Sequence, residues 1–358
     1  MSRDDGYFNV ADFGPVGTKN DTATIAAAVT AAKATITKWG SKGLYFPPGT
    51  NYTVTSPIDF RGISNVRCDG WLLWWGPEAN GPSFRFGQPN SAGSGRYIFH
   101  GIYDLSNGYA KRRHPLVQFS GLRGGHVELG VTNNFVEVFA EPGPYVSTAW
   151  SRFFLGQTWR LELRGTPGEG NGTGWINSNQ FYGGALAQLR IGGPWVDVTS
   201  VAVNGSMTRV TTARQHNFVT GNLVEMYNGS PVAGRYGLVT VVNATQFNIS
   251  GSYTGGSWRC MSRSGYSHNE NTFYNPDIED SPALVFIHGS CNHLLGCRME
   301  AKGQLVFGPG VFGNTIEVSN TTHGRMPDPG EGIDMEVVDY GGGKNFAGWF
   351  RVPKAWGL

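Results

Sequence analysis

The stretch from Asn271 to Glu317 is written as a repeat, and a repeat of this length allows few folds. Asn271-Thr-Phe, Asn292-His-Leu and Asn314-Thr-Ile open three similar segments, spaced 21 and then 22 residues apart. Glu279 and Glu300 each lie eight residues after their Asn, and Leu284-Val-Phe recurs as Leu305-Val-Phe. A further copy of the opening, Asn179-Gln-Phe-Tyr, stands far upstream of Asn271-Thr-Phe-Tyr, so something is inserted between them. Periods of this size mean stacked supersecondary units, none of which can bury its apolar face alone. The segments are rich in Phe, Val, Ile, Thr and Leu and are broken by Gly, Pro and Asn, as coils of short strands require. The reading is an all-β chain: a right-handed parallel β-helix with an N-terminal capping helix and a small inserted β-domain.

Composition narrows the classes further. With 358 residues the chain can bury a large core, and a solenoid can hold that length as one domain. The 53 glycines lack a collagen-like three-residue period and suit tight, turn-rich coils. A formal charge of +2 gives no electrostatic case for nucleic acid or an anionic membrane. No apolar run reaches the ~18 residues of a membrane span, and Met1-Ser-Arg-Asp-Asp-Gly carries no signal-peptide core, so folding in a cytoplasm is expected. Cys68, Cys260, Cys291 and Cys297 form no CxxC pair, and buried free thiols are expected rather than disulfides or a zinc site. No cofactor and no metal are expected.

Residues 8–54 read as a short strand, a helix and a strand. Phe8-Asn-Val-Ala-Asp-Phe-Gly is followed by Asn20-Asp-Thr-Ala-Thr-Ile-Ala-Ala-Ala-Val and by Leu44-Tyr-Phe-Pro-Pro-Gly-Thr. Asp21 or Thr22 can cap the helix. Ile25, Val29, Ala32, Ile36 and Trp39 then make one apolar stripe, able to cover the open end of a β-solenoid. These residues resemble the N-terminal signature of the pectate-lyase-3 type β-helix family, with Asp12-Phe-Gly and Phe46-Pro-Pro-Gly-Thr as its clearest marks. Asn20-Asp21 stands where that family usually has a double Asp. The family includes bacteriophage tailspikes and polysaccharide depolymerases.

Between Asn179 and Asn271 lie 92 residues where one unit needs about 21, so roughly 70 are extra. From Thr212 to Thr254 they alternate apolar and polar residues in short strands, as a small barrel or sandwich would. The insert resembles the small FCCH-like β-module of phage structural proteins, in whose pattern His216 is a turn-stabilising residue. The division that follows is 1–194 for the cap and first coils, 195–262 for the inserted module, 263–325 for the last coils, and 326–358 for an aromatic tail. Met326-Pro-Asp-Pro and Gly341-Gly-Gly are expected to end regular stacking. The two resemblances imply a virion protein on the phage tail, made in the host cytoplasm and acting outside the cell. They imply a homotrimer whose partners are a bacterial surface polysaccharide and other virion proteins, without nucleic acid or membrane insertion. With few residues before Phe8, attachment to the particle is expected through a short arm, another surface or an adaptor.

The chemistry the sequence nominates centres on stacked carboxylates. If 21 residues make one turn, Glu279 and Glu300 stack with Cα atoms ~4.8 Å apart, close to the ~5–5.5 Å of a retaining glycosidase pair. Asp280 enriches the same stretch, and Arg298, two residues before Glu300, shares its strand face. A stacked pair can equally face a subunit interface or be solvated. Trp71 and Trp75 are candidate platforms for sugar rings. His288 and His293 lack metal-ligand spacing and read as structural. Lys111-Arg-Arg-His reads as an exposed loop, and Gly168-x-Gly170 has no strand-to-helix context for a phosphate loop. Three functions stay open: a polysaccharide-recognising spike, a depolymerase acting by hydrolysis or elimination, and a structural virion component.

Overall fold

The structure, a computed structural model, describes residues 6–37, 41–89, 93–106, 112–140, 147–165, 175–193, 195–227, 235–254, 258–261, 268–278, 283–299, 303–309, 311–321, 335–339 and 344–349. The chain is nearly all β. A large sheet of twenty strands pairs in parallel, six further strands close into a barrel, and one α-helix spans Thr22–Lys33 among the described residues.

The large sheet consists of three columns, and from Gly43 onward the chain passes through them in turn. In the first column the inward positions run Leu44, Val66, Tyr97, Val127, Phe153, Phe181, Phe273, Leu294 and Ile316, each in register with the next. The third runs Phe84, Val117, Val136, Leu161, Leu189, Val285 and Leu305 in the same way. The second passes through Tyr52, Leu72 and Ile102, and resumes at Leu186, Ile278 and Met299. All these side chains are buried and belong to one apolar cluster. The alternation that sends each of them inward sends its neighbours out. Phe153, Phe181 and Phe273 stack at centroid distances of 4.9 and 4.6 Å, so like side chains on successive rungs pack face to face.

The repeated asparagines form a buried ladder. Asn179 Nδ2 donates to Asn271 Oδ1 at 3.0 Å, Asn271 to Asn292 at 3.0 Å, Asn292 to Asn314 at 3.1 Å, and Asn314 to Asn345 at 2.8 Å. Each of the first four amides also donates to a backbone carbonyl of the preceding corner. Just before Ser151, Asn179, Asn271 and Asn292 stand Trp150, Ser178, Glu270 and Cys291, all left-handed with φ between 51° and 59°. That bend points backbone groups inward where no strand can pair them, and the asparagine amide supplies the missing partners.

Regular pairing continues past residue 325, where the Pro- and Gly-rich segments were expected to end it. Met335–Asp339 pairs with Gly303–Phe307, and Phe346–Trp349 pairs with Thr315–Thr321. Asn345 extends the ladder there, a position the tail's composition conceals. The register also corrects one reading of the repeat. Leu284 pairs with Gln304 and Val285 with Leu305, so the two Leu-Val-Phe runs are offset by one residue. The connection from Met299 to Gly303 is one residue shorter than that from Ile278 to Ala283, and a slip of one exchanges inward and outward faces.

The helix buries Ile25, Ala28, Val29 and Ala32 into the main core. Ile36 was expected on this stripe but is half exposed, because the helix ends at Lys33; Trp39 lies outside the described residues. Asp21 holds the N-cap position without capping through its side chain. Its carboxylate instead accepts from the amides of Gly17 and Thr18 and from Thr53 N at 2.9 Å, tying loop to strand, while Asn20 Oδ1 accepts from Thr22 N.

The barrel is built from Trp195–Asn204, Met207–Thr212, Gln246–Ser250, Arg235–Asn243, Leu223–Tyr227 and Arg259–Met261, all antiparallel, around its own apolar cluster. His216 serves its turns: Nδ1 accepts from Phe218 N and Nε2 bonds the Asn243 carbonyl. The barrel interrupts the sequence but not the columns, since Gln180 pairs directly with Thr272 and Gln188 with Leu284. It docks on the outer face of the third column. Trp195, Leu223 and Tyr227 pack with Val306, and Arg190 is bound by both Glu225 oxygens at 2.7–3.0 Å. Arg160, Arg164, Glu137 and Glu162 complete this buried network, three cations against three anions. Burial works against the Arg190 charge, but Glu225 and Glu162 outweigh it and hold its pKa above the ordinary value. Cys68 and Cys291 carry free thiols, and burial pushes that of Cys68 up to about 12.

Two stability measurements test these couplings. Asn292→Ala orphans amides on two rungs and should cost about 2–4 kcal/mol in chemical denaturation, whereas Thr199→Ala on the barrel surface should stay within about 0.5 kcal/mol. Equal effects would show that the ladder does not hold the rungs. Glu225→Ala leaves Arg190 charged and buried and should cost about 3–5 kcal/mol, much of it recovered by adding Arg190→Met; no recovery would mean that the pair is not what fastens the barrel.

Candidate functional site

The outward positions of the first column form an open groove on four successive rungs. Alternation turns Arg67 and Asp69 outward on the first, Arg96, Ile98 and His100 on the next, then His126 and Glu128, then Arg152 and Phe154. The hollow measures about 670 Å³, and Asp69, Ile98, His100, Glu128, Phe154 and Gly156 are among its walls. Its floor is backbone. A Cβ on Gly156 would fall 1.4 Å from the Gly130 carbonyl oxygen, and one on Gly130 2.2 Å from that of His100, so only glycine fits where these rungs nest.

Trp71 lies beside the groove, packed against the wall residue His100. Gly101 is in register with Trp71, and a Cβ there would lie 2.1 Å from the indole, so the indole rests against the glycine. His100 and Tyr103 pack edge-on to it at 4.6 and 5.2 Å. From the groove toward the C-terminal rungs, Phe154, Tyr182 and Tyr274 stack at 4.8 and 5.0 Å with interplanar angles of 12° and 14°. This second aromatic ladder faces outward, and Phe154 is exposed. The Tyr182 hydroxyl donates to Gln180 at 2.8 Å.

Two pairs of polar groups meet within strands. Arg67 Nε donates to both Asp69 oxygens at 2.9 and 3.0 Å, and His126 Nε2 meets Glu128 Oε1 at 2.5 Å, its ring tilted against Phe154. Partial burial, and then the nearby Asp69 charge, raise the pKa of Tyr45, which is in register with Arg67. The groove thus offers the apolar side chains of Ile98 and Phe154, a neighbouring indole and two carboxylates, Asp69 and Glu128, with their partners Arg67 and His126.

The residues that the sequence nominates are only partly brought here. Trp71 stands beside the groove. Trp75 is exposed beyond the end of its strand, while Trp74 beside it is fully buried. Arg298 is ion-paired with Asp277 at 3.0 Å, six rungs along the second column from Trp71, or about 29 Å. Glu279, Asp280 and Glu300 lie outside the described residues; up to Ile278 and Met299, the 21-residue register of their strands holds. His288 is buried, with its ring against Gly308. The reading missed Asp69, His100, His126, Glu128 and Phe154. For Tyr182 and Tyr274 a signal existed, the fourth residue of the recurring Asn-x-Phe-Tyr.

No protein-family model and no curated protein matches the chain. The groove is therefore interpreted from its own geometry.

Gly101→Ala tests the seat of Trp71. The added methyl should displace the Trp71 indole, shift its fluorescence and cost about 1–3 kcal/mol. Unchanged fluorescence would show that the indole is not seated on this glycine.

Proposed function

We propose that the protein is a right-handed parallel β-helix of the bacteriophage tailspike type, a virion protein that recognises a bacterial surface polysaccharide along the groove of its first column. The observation that carries this reading is the outward ladder of Phe154, Tyr182 and Tyr274 continuing from an open groove. Stacked rings on successive rungs turn their faces to one another and their edges outward, making a long apolar ridge along which the sugar rings of an extended chain can lie while their hydroxyls meet side chains. The parallel columns with a helix packed at the first rungs support the β-helix, as does the resemblance of residues 8–54 to that family. A parallel homotrimer and docking to other virion proteins rest on the resemblance alone.

Cleavage of the same glycan is a second reading, favoured by one observation: Asp69 and Glu128 line the same groove. Their strands are two rungs apart, about 9.6 Å, and Asp69 stands two residues further along than Arg67, the residue in register with Glu128 through Ile98, a separation wider than that of a directly attacking carboxylate pair.

The test is binding and chain-length analysis of purified capsular and lipopolysaccharide glycans from a panel of bacteria. At least one glycan should bind, and Phe154→Ala or Tyr182→Ala should weaken it about tenfold or more while Trp75→Ala leaves it unchanged. Shortening that disappears in Asp69→Asn or Glu128→Gln would place hydrolysis in this groove. Shortening lost only in Glu279→Gln or Glu300→Gln would move the chemistry to the last rungs, and an unsaturated product would mark elimination. Binding to virion proteins with no glycan bound at all would replace the recognition reading with a structural one.

A further inference from the structure

One edge of the groove is cationic. Arg96, His126 and Arg152 are in register on three successive rungs. Each lies two residues before a residue of the groove wall, Ile98, Glu128 and Phe154 respectively, so the row runs beside the groove on the same outward face. Arg96 and Arg152 are exposed and His126 is half-buried between them. The groove's own carboxylates already have partners, Asp69 in Arg67 and Glu128 in His126. Arg96 and Arg152 form no ion pair among the described residues.

A lone arginine on a rung is ordinarily a solvated surface charge. Here two stand two rungs apart, about 9.6 Å, along the edge of a groove whose other features suit sugar rings. Guanidinium is a planar fork that pairs bidentately with carboxylate or phosphate, and it is less strongly hydrated than an ammonium. His126 stands between the two on the intervening rung, and Glu128, two residues further along it and in register with Ile98 and Phe154, opposes a polymer charged at every unit and tolerates one charged at intervals.

We propose that the groove selects an anionic polysaccharide, Arg96 and Arg152 each pairing with a carboxylate or phosphate substituent while Phe154 and Tyr182 carry the intervening sugar rings. This rests on the groove being the glycan site. Neutral glycans then lack the contacts along one edge, and affinity falls with salt because both cations are exposed.

The test uses every panel glycan that binds, with hyaluronan and alginate as defined uronate polymers and dextran as a neutral one. Each anionic binder is compared with its carboxyl-reduced or dephosphorylated derivative by calorimetry at low and high salt. The bound glycans should be anionic, and removal of the charge, or the Arg96→Gln/Arg152→Gln pair, should weaken binding about tenfold or more. Reduction or dephosphorylation identifies which anion is recognised. Arg96→Lys should restore only part of the affinity, since ammonium cannot form the fork. Phe154→Ala should weaken binding of the anionic glycan and of its neutralised derivative alike. A neutral glycan bound as tightly as any anionic one, or unchanged binding in the arginine double variant while Phe154→Ala abolishes it, overturns the charge selection and leaves glycan recognition standing. No binding by any glycan overturns both.

Discussion

Each circuit of this chain must leave one column and enter the next without burying an unpaired amide, and the asparagine ladder meets that requirement at the corner before the first column. The left-handed residue makes the bend, and the following asparagine both donates and accepts across rungs, so every corner is joined to the next. Both halves of the amide group are used, which is why no hydrophobic residue of similar size can substitute. A buried amide ladder of this kind also imposes register. A rung slipped by one residue would place an outward side chain in the interior and break two sets of hydrogen bonds together.

The ladder starts only at Asn179, and the two halves of the stack differ accordingly. From Asn271 the next two circuits run 21 and 22 residues with short connections, and the last, from Thr315 to Phe346, runs 31. Before it, first-column steps are 30, 26 and 28 residues, from Arg96 to His126 to Arg152 to Gln180. There the corners depend on Ser151 and on glycines, and the interior on stacked phenylalanines. The longer connections leave the rung itself unchanged but build relief around it, and the groove lies in this irregular half.

That difference explains what could be read from sequence. The repeat was legible because Asn271, Asn292 and Asn314 keep steps of 21 and 22 residues, and the insertion because Asn179 and Asn271 share an opening yet stand too far apart for one circuit. His126, Glu128 and Phe154 were not legible. Steps of unequal length give no period by which to align Arg96, His126 and Arg152, and pairs such as His126 and Glu128 at i, i+2 look like any alternating strand. The same reliance on a constant step aligned Leu284 with Leu305, where a connection one residue shorter sets Val285 opposite Leu305 instead. Trp71 was nominated because an indole on an alternating strand is conspicuous without a period. Its seat on Gly101 was not, since a glycine one rung away carries no mark of what lies on it.

Where the barrel enters matters for the surface it leaves free. It departs after the third column and returns before the first, and its docking contacts, Trp195, Tyr227 and the Arg190–Glu225 pair, all lie against the third. Tyr182 and Tyr274 belong to rungs on either side of the insertion in sequence, yet they stack at 5.0 Å as neighbours. An insertion made at the corner before the first column thus leaves the outward aromatic ladder continuous from Phe154 to Tyr274. Buried charge secures the barrel on one face, while the aromatic face stays open. A whole domain is therefore added without covering the groove, because it docks on the third column while the groove lies on the first.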